Sequence, residues 1–139
     1  MSEQDNVRLI EGIYSSFSRG DIAAVLETLA QQAELQFEAP REIPWAGNWV
    51  GRGGWAGFFQ TLGENADEIK VEMAPFAAQG GNVVMLGRYQ ARVKATGKRI
   101  DSPLVHLWTV EAGKVARCIE LANTAQELGA VTKELAVSR

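Results

Sequence analysis

Leu104-Val105-His106-Leu107-Trp108-Thr109-Val110 is followed, across the short connection Glu111-Ala112-Gly113, by Lys114-Val115-Ala116-Arg117-Cys118-Ile119-Glu120-Leu121. Both runs are rich in β-branched and aromatic residues, and a glycine-containing link of this length joins them as a hairpin. The pair decides the fold because it sets the chain's only histidine and an acid within apolar strands. Leaving a polar group buried and alone costs roughly 2–7 kcal/mol, so each must be hydrogen-bonded, ion-paired or turned toward a solvated cavity. A cavity against the sheet is therefore expected.

Working outward, further strands are predicted over Ile69 to Gln79 and Asn82 to Thr96, with Ile100 to Val110 and Lys114 to Ala122 completing a set separated by Gly80-Gly81, Thr96-Gly97-Lys98 and Ala112-Gly113. Gly87 falls mid-strand, where a bend or a close backbone approach needs it. Toward the N-terminus, Val7, Ile10, Ile13, Tyr14 and Phe17 recur at helical spacing, Gly20 stops that helix, and Asp21 caps a second one carrying Ile22, Val25, Leu26 and Leu29 inward. Leu35 to Ala39 alternates as a strand ended by Pro40, and the segment from Pro40 to Gly54, with Pro44, Trp45, Gly47 and Trp49, reads as a shaped loop able to lid a pocket. Gly51-Arg52-Gly53-Gly54 reads as a turn into a short aromatic helix that ends at Gly63 and turns Trp55, Phe58, Phe59 and Leu62 inward. Thr124-Ala125-Gln126-Glu127 matches a capping box opening a last helix through Leu128, Val131 and Leu135. Helices first and strands afterwards make an α+β class, a cone-shaped curved antiparallel sheet wrapped around N-terminal helices.

The 139 residues suit one domain spanning 1–139, with its core at about 6–128. Fourteen basic against 17 acidic residues, net −3, leave no basic stripe for nucleic acid. No apolar run approaches the ~20 residues a membrane span needs, and the polar start Met1 to Asp5 does not resemble a signal peptide, so a cytoplasmic protein is expected. One cysteine and one histidine supply no soft-metal ligand set, and Cys118 reads as structural.

Alternation places Arg88 and Gln90 on one face of their strand, His106 and Trp108 on one face of theirs, and Cys118 and Glu120 on one face of the last. If the faces coincide, Arg88, Gln90, His106 and Glu120 converge. One reading makes His106 and Glu120 proton-transfer groups with Arg88 as an electrostatic anchor; the other makes Arg88–Glu120 an ion pair closing a filled cone, with His106 a hydrogen-bonded core residue. Tyr14, Phe17, Phe37, Trp45, Trp49 and Phe59, with Gln90, Trp108 and Asn123, are the candidate pocket walls, Asn123 having a turn or helix-cap role as its alternative. Trp55 and Phe58 read as plain core. Val83, Met85, Tyr89, Ala91 and Val93 are assigned to the sheet's outer face, where an apolar surface calls for a homodimer.

Gly20-Asp21-Ile22, Phe37-Glu38-Ala39-Pro40, Gly51-Arg52, Gly87-Arg88-Tyr89, His106-Leu107-Trp108-Thr109-Val110 and Gly113-Lys114-Val115 together resemble the SnoaL-like branch of the nuclear transport factor 2-like superfamily, from about Val7 to Leu128. The resemblance implies a cystatin-like α+β roll, a homodimer and a mainly apolar, enclosed pocket for a small hydrophobic or polycyclic ligand. The superfamily includes ketosteroid isomerase, polyketide cyclases, limonene epoxide hydrolase and scytalone dehydratase beside members that only bind or scaffold. The position of the isomerases' general base is Ala39 here, and Tyr14 is out of register with their catalytic tyrosine. The epoxide hydrolases' strand arginine and aspartate, with a second aspartate on the last strand, align with Arg88, Gln90 and Glu120, and Gln90 cannot exchange a proton. The expectation is a cofactor-independent isomerase, cyclase, dehydratase or hydrolase; the alternative is a non-catalytic binding module or a dimeric scaffold.

Overall fold

The computed structural model describes residues 2–133. Helix α1 (Glu3–Ser18) opens on a reciprocal cap: the Ser2 hydroxyl accepts from the Asp5 N–H at 3.0 Å and the Asp5 carboxylate accepts from the Ser2 N–H at 3.0 Å. It buries Ile10 and Ile13 and ends where Gly20, at φ 73°, turns left-handed, so that Gly20 donates to the Phe17 carbonyl and Asp21 to that of Ser16, both at 2.9 Å. Asp21 then caps α2 (Ile22–Glu27) by accepting from the Ala24 N–H.

The sheet has six strands, β1 (Leu29–Phe37), β2 (Gly47–Val50), β3 (Ala66–Gln79), β4 (Asn82–Val93), β5 (Arg99–Glu111) and β6 (Lys114–Ala122), in the spatial order β2-β1-β6-β5-β4-β3. It is curved, unclosed and antiparallel except where β1 runs parallel to β6. Leu29 belongs to β1 and not to the second helix, because Val115 donates to the Thr28 carbonyl at 2.8 Å and draws the chain into the sheet. Strand β1 stops at Phe37, short of Ala39, and β4 stops at Val93, where the Gly97 N–H closes a turn onto the Val93 carbonyl.

Helix α3 (Gly51–Asn65) starts inside the glycine run expected to be a turn and outlasts Gly63. Glycines disfavour a helix by about 1 kcal/mol each. Burial of Trp55 and Phe58 outweighs that cost, and the glycine spacing lets the Trp49 backbone and ring lie against Gly54 and Gly57. Helix α4 (Thr124–Val131) is capped by Asn123, whose side chain accepts from the Gln126 N–H at 3.1 Å, one residue earlier than the expected capping box; Leu135 lies outside the described residues.

The largest departure concerns the two faces of β4. Met85 pairs directly with His106 and Val83 with Trp108, so Val83, Met85, Tyr89, Ala91 and Val93 line the inner face, where they are buried, and Arg88 and Gln90 stand on the outer one. A one-residue change of phase turns every side chain over. The apolar set takes the core, because Arg88 and Gln90 remain hydrated outside. Gly87 answers a close approach, since a Cβ there would run into the Glu72 carbonyl and the Met73 sulfur on β3.

Candidate functional site

Strands β5 and β6 carry the polar centre. His106 lies opposite Glu120 and Trp108 opposite Cys118 in the antiparallel register, so all four point to the concave face. The register shift between Thr109 and Val110 puts an extra residue of β6 between Val115 and Arg117, which lets Val115, Cys118 and Glu120 share that face despite their uneven spacing. Helix α1 closes over them with Tyr14.

These side chains form a continuous chain of hydrogen bonds. The Trp108 Nε1–H donates to the Tyr14 hydroxyl oxygen at 2.9 Å, the Tyr14 hydroxyl meets His106 Nδ1 at 2.5 Å, and His106 Nε2 meets a Glu120 carboxylate oxygen at 3.0 Å. Indole can only donate and carboxylate only accept, so the arrangement satisfying every group has Tyr14 donating to Nδ1 and a neutral His106 donating from Nε2 to Glu120. The Tyr14 and His106 rings lie nearly parallel, 6° apart, with Trp108 edge-on to both. The His106 and Glu120 side chains are only 11% and 12% exposed. Burial, joined by the negative charge of Glu120, drives the Tyr14 hydroxyl far above its ordinary pKa, so it stays protonated as a donor. Burial likewise pushes the Cys118 thiol up, which keeps it inert.

A cavity of about 90 Å³ adjoins this chain, with Tyr14, Phe17, Trp45, Phe59 and Trp108 among its walls beside His106 and Glu120. Small-molecule pockets commonly hold ~300–1,000 Å³, so this one is small. Its wall is overwhelmingly apolar. Trp55 and Phe58 also reach it from the core.

Five candidate residues lie elsewhere. Arg88 is on the outer face, its guanidinium Nε donating to the Asp101 carboxylate at 2.5 Å with both side chains more than half exposed; it neither pairs with Glu120 nor faces the cavity. Gln90 shares that outer face. Trp49 packs edge-on to Phe58 and donates its indole N–H to the Trp45 carbonyl, behind the wall. Asn123 caps α4 from an exposed position, and Phe37 is core at the far end of β1.

Two participants escaped the sequence reading. Tyr89 lines the cavity and donates a very short hydrogen bond to Glu127 Oε2, to which the Trp45 indole N–H also donates at 3.3 Å. Glu127 has no exposed surface, and burial, reinforced by the charge of Glu120, raises its carboxyl to about 7 against these two donors. Its signal was its place three residues before Ala130 on the buried face of α4, hidden by the capping-box match. No group of three or more His, Cys, Asp or Glu side chains is placed to hold a metal ion among the described residues.

The fold agrees with what comparison finds. A SnoaL-like domain model matches residues 10–118, and the chain belongs to that family. Among solved structures it is similar to a nuclear transport factor 2-like protein from Burkholderia xenovorans LB400 (28% identity, TM-score 0.85, covering 95% of this chain and 99% of that one). It is also similar to such a protein of unknown function from Burkholderia pseudomallei K96243 (22%, TM-score 0.86, 95% and 99%), and to TerC co-crystallised with polyporic acid (21%, TM-score 0.83, 91% and 98%). No curated protein matches the sequence.

Proposed function

We propose that the chain is a cofactor-independent small-molecule enzyme that moves a proton on a carbonyl-containing cyclic or polycyclic substrate, as in isomerisation, cyclisation, dehydration or hydrolysis. The observation carrying this reading is the Trp108–Tyr14–His106–Glu120 hydrogen-bond chain at the edge of an apolar cavity. Tyr14 is the link between ligand and base: its oxygen takes the substrate proton as its own hydrogen passes to His106 Nδ1, and Glu120 stabilises the imidazolium that forms. Tyr14 is never left as a phenolate, in keeping with its high pKa. The similarity to TerC, crystallised with an organic acid, supports a small organic ligand.

The test is turnover of a panel of aromatic and polycyclic ketones by wild type, His106→Ala and Glu120→Gln. Each variant is expected to lower kcat by roughly 10²–10⁴-fold while ligand affinity survives. A second reading, a binding module that sequesters a hydrophobic metabolite, draws on the small cavity and on a hydrogen-bond chain already satisfied within the protein. Affinity lost in His106→Ala, with no turnover by wild type, would establish that reading and remove the first.

A further inference from the structure

Tyr89 from β4 and Trp45 from the segment before β2 both line the cavity, and both hydrogen-bond to the same oxygen of Glu127 on α4. The other oxygen of that carboxyl, Oε1, is buried without a hydrogen-bond partner. A sealed, half-satisfied acid is an expensive way to dock an eight-residue helix, because an apolar side chain of similar volume would do so without desolvating a carboxyl. The arrangement therefore calls for a role that only an ionisable group can fill. We propose that Glu127 and Tyr89 form a second proton-handling pair on the cavity, in which protonation of Glu127 turns the Tyr89 hydroxyl hydrogen from α4 into the cavity, toward an acceptor oxygen of the ligand such as a carbonyl or phenolate.

With Glu127 ionised, Oε2 accepts from both the Tyr89 O–H and the Trp45 N–H, and the Tyr89 hydrogen is committed to the carboxylate. With Glu127 protonated at Oε2, the acid donates to the Tyr89 oxygen and the Tyr89 hydrogen is released to the cavity. If that hydrogen passes fully to a ligand oxygen, Tyr89 takes the Glu127 proton in the same step. Tyr89 stays neutral, and the net change is one proton moved from Glu127 to the ligand. Tyr89 cannot supply the proton alone, since burial and the Glu127 charge hold its hydroxyl far above the ordinary phenol range. The groups facing Glu127 are Tyr89 on β4 and Glu120 on β6, whose negative charge opposes a second one nearby. On the solvent side of α4, Gln126 accepts from the Asp101 backbone N–H on β5, and Lys98 bonds the Gly129 and Thr132 carbonyls. The ligand chemistry rests on the proposed function; the pair itself does not.

The experiment uses the full chain with carbon-13 at glutamate Cδ and tyrosine Cζ, titrated across neutral pH with no ligand. The chain has two tyrosines, so Tyr89→Phe identifies both signals. One glutamate should titrate with a midpoint of about 7 and vanish in Glu127→Gln, and the Tyr89 signal should move with the same midpoint in wild type and lose that step in Glu127→Gln. Tyr89→Phe should raise the Glu127 midpoint by removing a donor to the carboxylate, and Glu120→Gln should lower it. A Glu127 midpoint in the ordinary carboxylate range, a Tyr89 signal flat through the Glu127 titration, or a midpoint indifferent to Tyr89→Phe would each overturn the pair. Should Glu127→Gln fail to fold, wild type and Tyr89→Phe decide alone. Because no ligand is present, failure here is separate from failure of the His106–Glu120 turnover test.

Discussion

At the scale of the residue, Glu127 and Glu120 show how one side-chain type behaves differently a few residues apart. Glu120 receives a hydrogen bond from His106 at the cavity edge, whereas Glu127 has traded all its water for two donors and an orphaned oxygen. Its folded-state pKa of about 7 stands above the unfolded value near 4.5, so the native state holds a proton there that the unfolded chain has released. The contribution of Glu127 to stability is then fullest below about pH 4.5 and is lost as pH rises toward 7, flattening beyond. Each tenfold difference in proton affinity is worth about 1.4 kcal/mol, which makes the whole window roughly 3 kcal/mol. Urea unfolding at several pH values should show that decline in wild type and not in Glu127→Gln, which mimics the protonated acid. Equal slopes for the two proteins would mean that Glu127 is not the titrating group. The imidazole was legible from sequence because a lone histidine between Val105 and Leu107 has few ways to be satisfied. Glu127 was not, since an acid at the start of a helix ordinarily serves the helix and only the packing of α4 against Tyr89 reveals another use.

At the scale of the element, β4 explains both what could be read and what could not. Its start after Gly80-Gly81 was plain, although it ends at Val93 and not at the expected Thr96, and its phase was open to two readings. Val83, Met85, Gly87, Tyr89, Ala91 and Val93 make one wholly apolar row, and Val84, Leu86, Arg88, Gln90 and Arg92 make a mixed one. Pointing Arg88 inward suited a catalytic constellation, yet an arginine inside needs a partner, and on the outer face it meets exposed Asp101 diagonally across on β5 instead. Such a surface pair is worth about 0–1 kcal/mol, too little to compete with burial of the apolar row. In the same way α3 defeats local propensity, because Trp55 and Phe58 bury deeply enough to carry a glycine-rich first turn into a helix. Gly87 tests the packing of β3 on β4 directly. Gly87→Ala sets a methyl against the Glu72 carbonyl and the Met73 sulfur, so the strands must part, and thermal or urea unfolding should register a loss of about 1–3 kcal/mol. A loss of a few tenths would show that β3 yields freely at this point.

At the scale of the whole molecule, the convex face of the sheet is the surface left to account for. Val84 lies opposite Leu107 and Leu86 opposite Val105 across β4 and β5, and Val105 lies opposite Leu121 and Leu107 opposite Ile119 across β5 and β6. These six side chains make one continuous apolar patch, with Leu121 half exposed and the Arg88–Asp101 pair at its edge. It replaces the inner-row residues assigned to the outer face from the sequence, and it strengthens the case for self-association, since monomers seldom leave such a patch in water. We predict a homodimer joined through this face. Light scattering at micromolar concentration should give twice the chain mass, and Leu86→Lys with Leu121→Lys should give the chain mass with unchanged far-ultraviolet dichroism, because neither side chain enters the core. A wild-type monomer would exclude the interface. A dimer through this face would also bear on the cavity, because Val105 and Leu107 flank His106 on β5 and point outward where it points inward. Association that holds those neighbours fixes the strand carrying the imidazole, so the melting temperature of wild type should rise with protein concentration and that of the lysine variant should not.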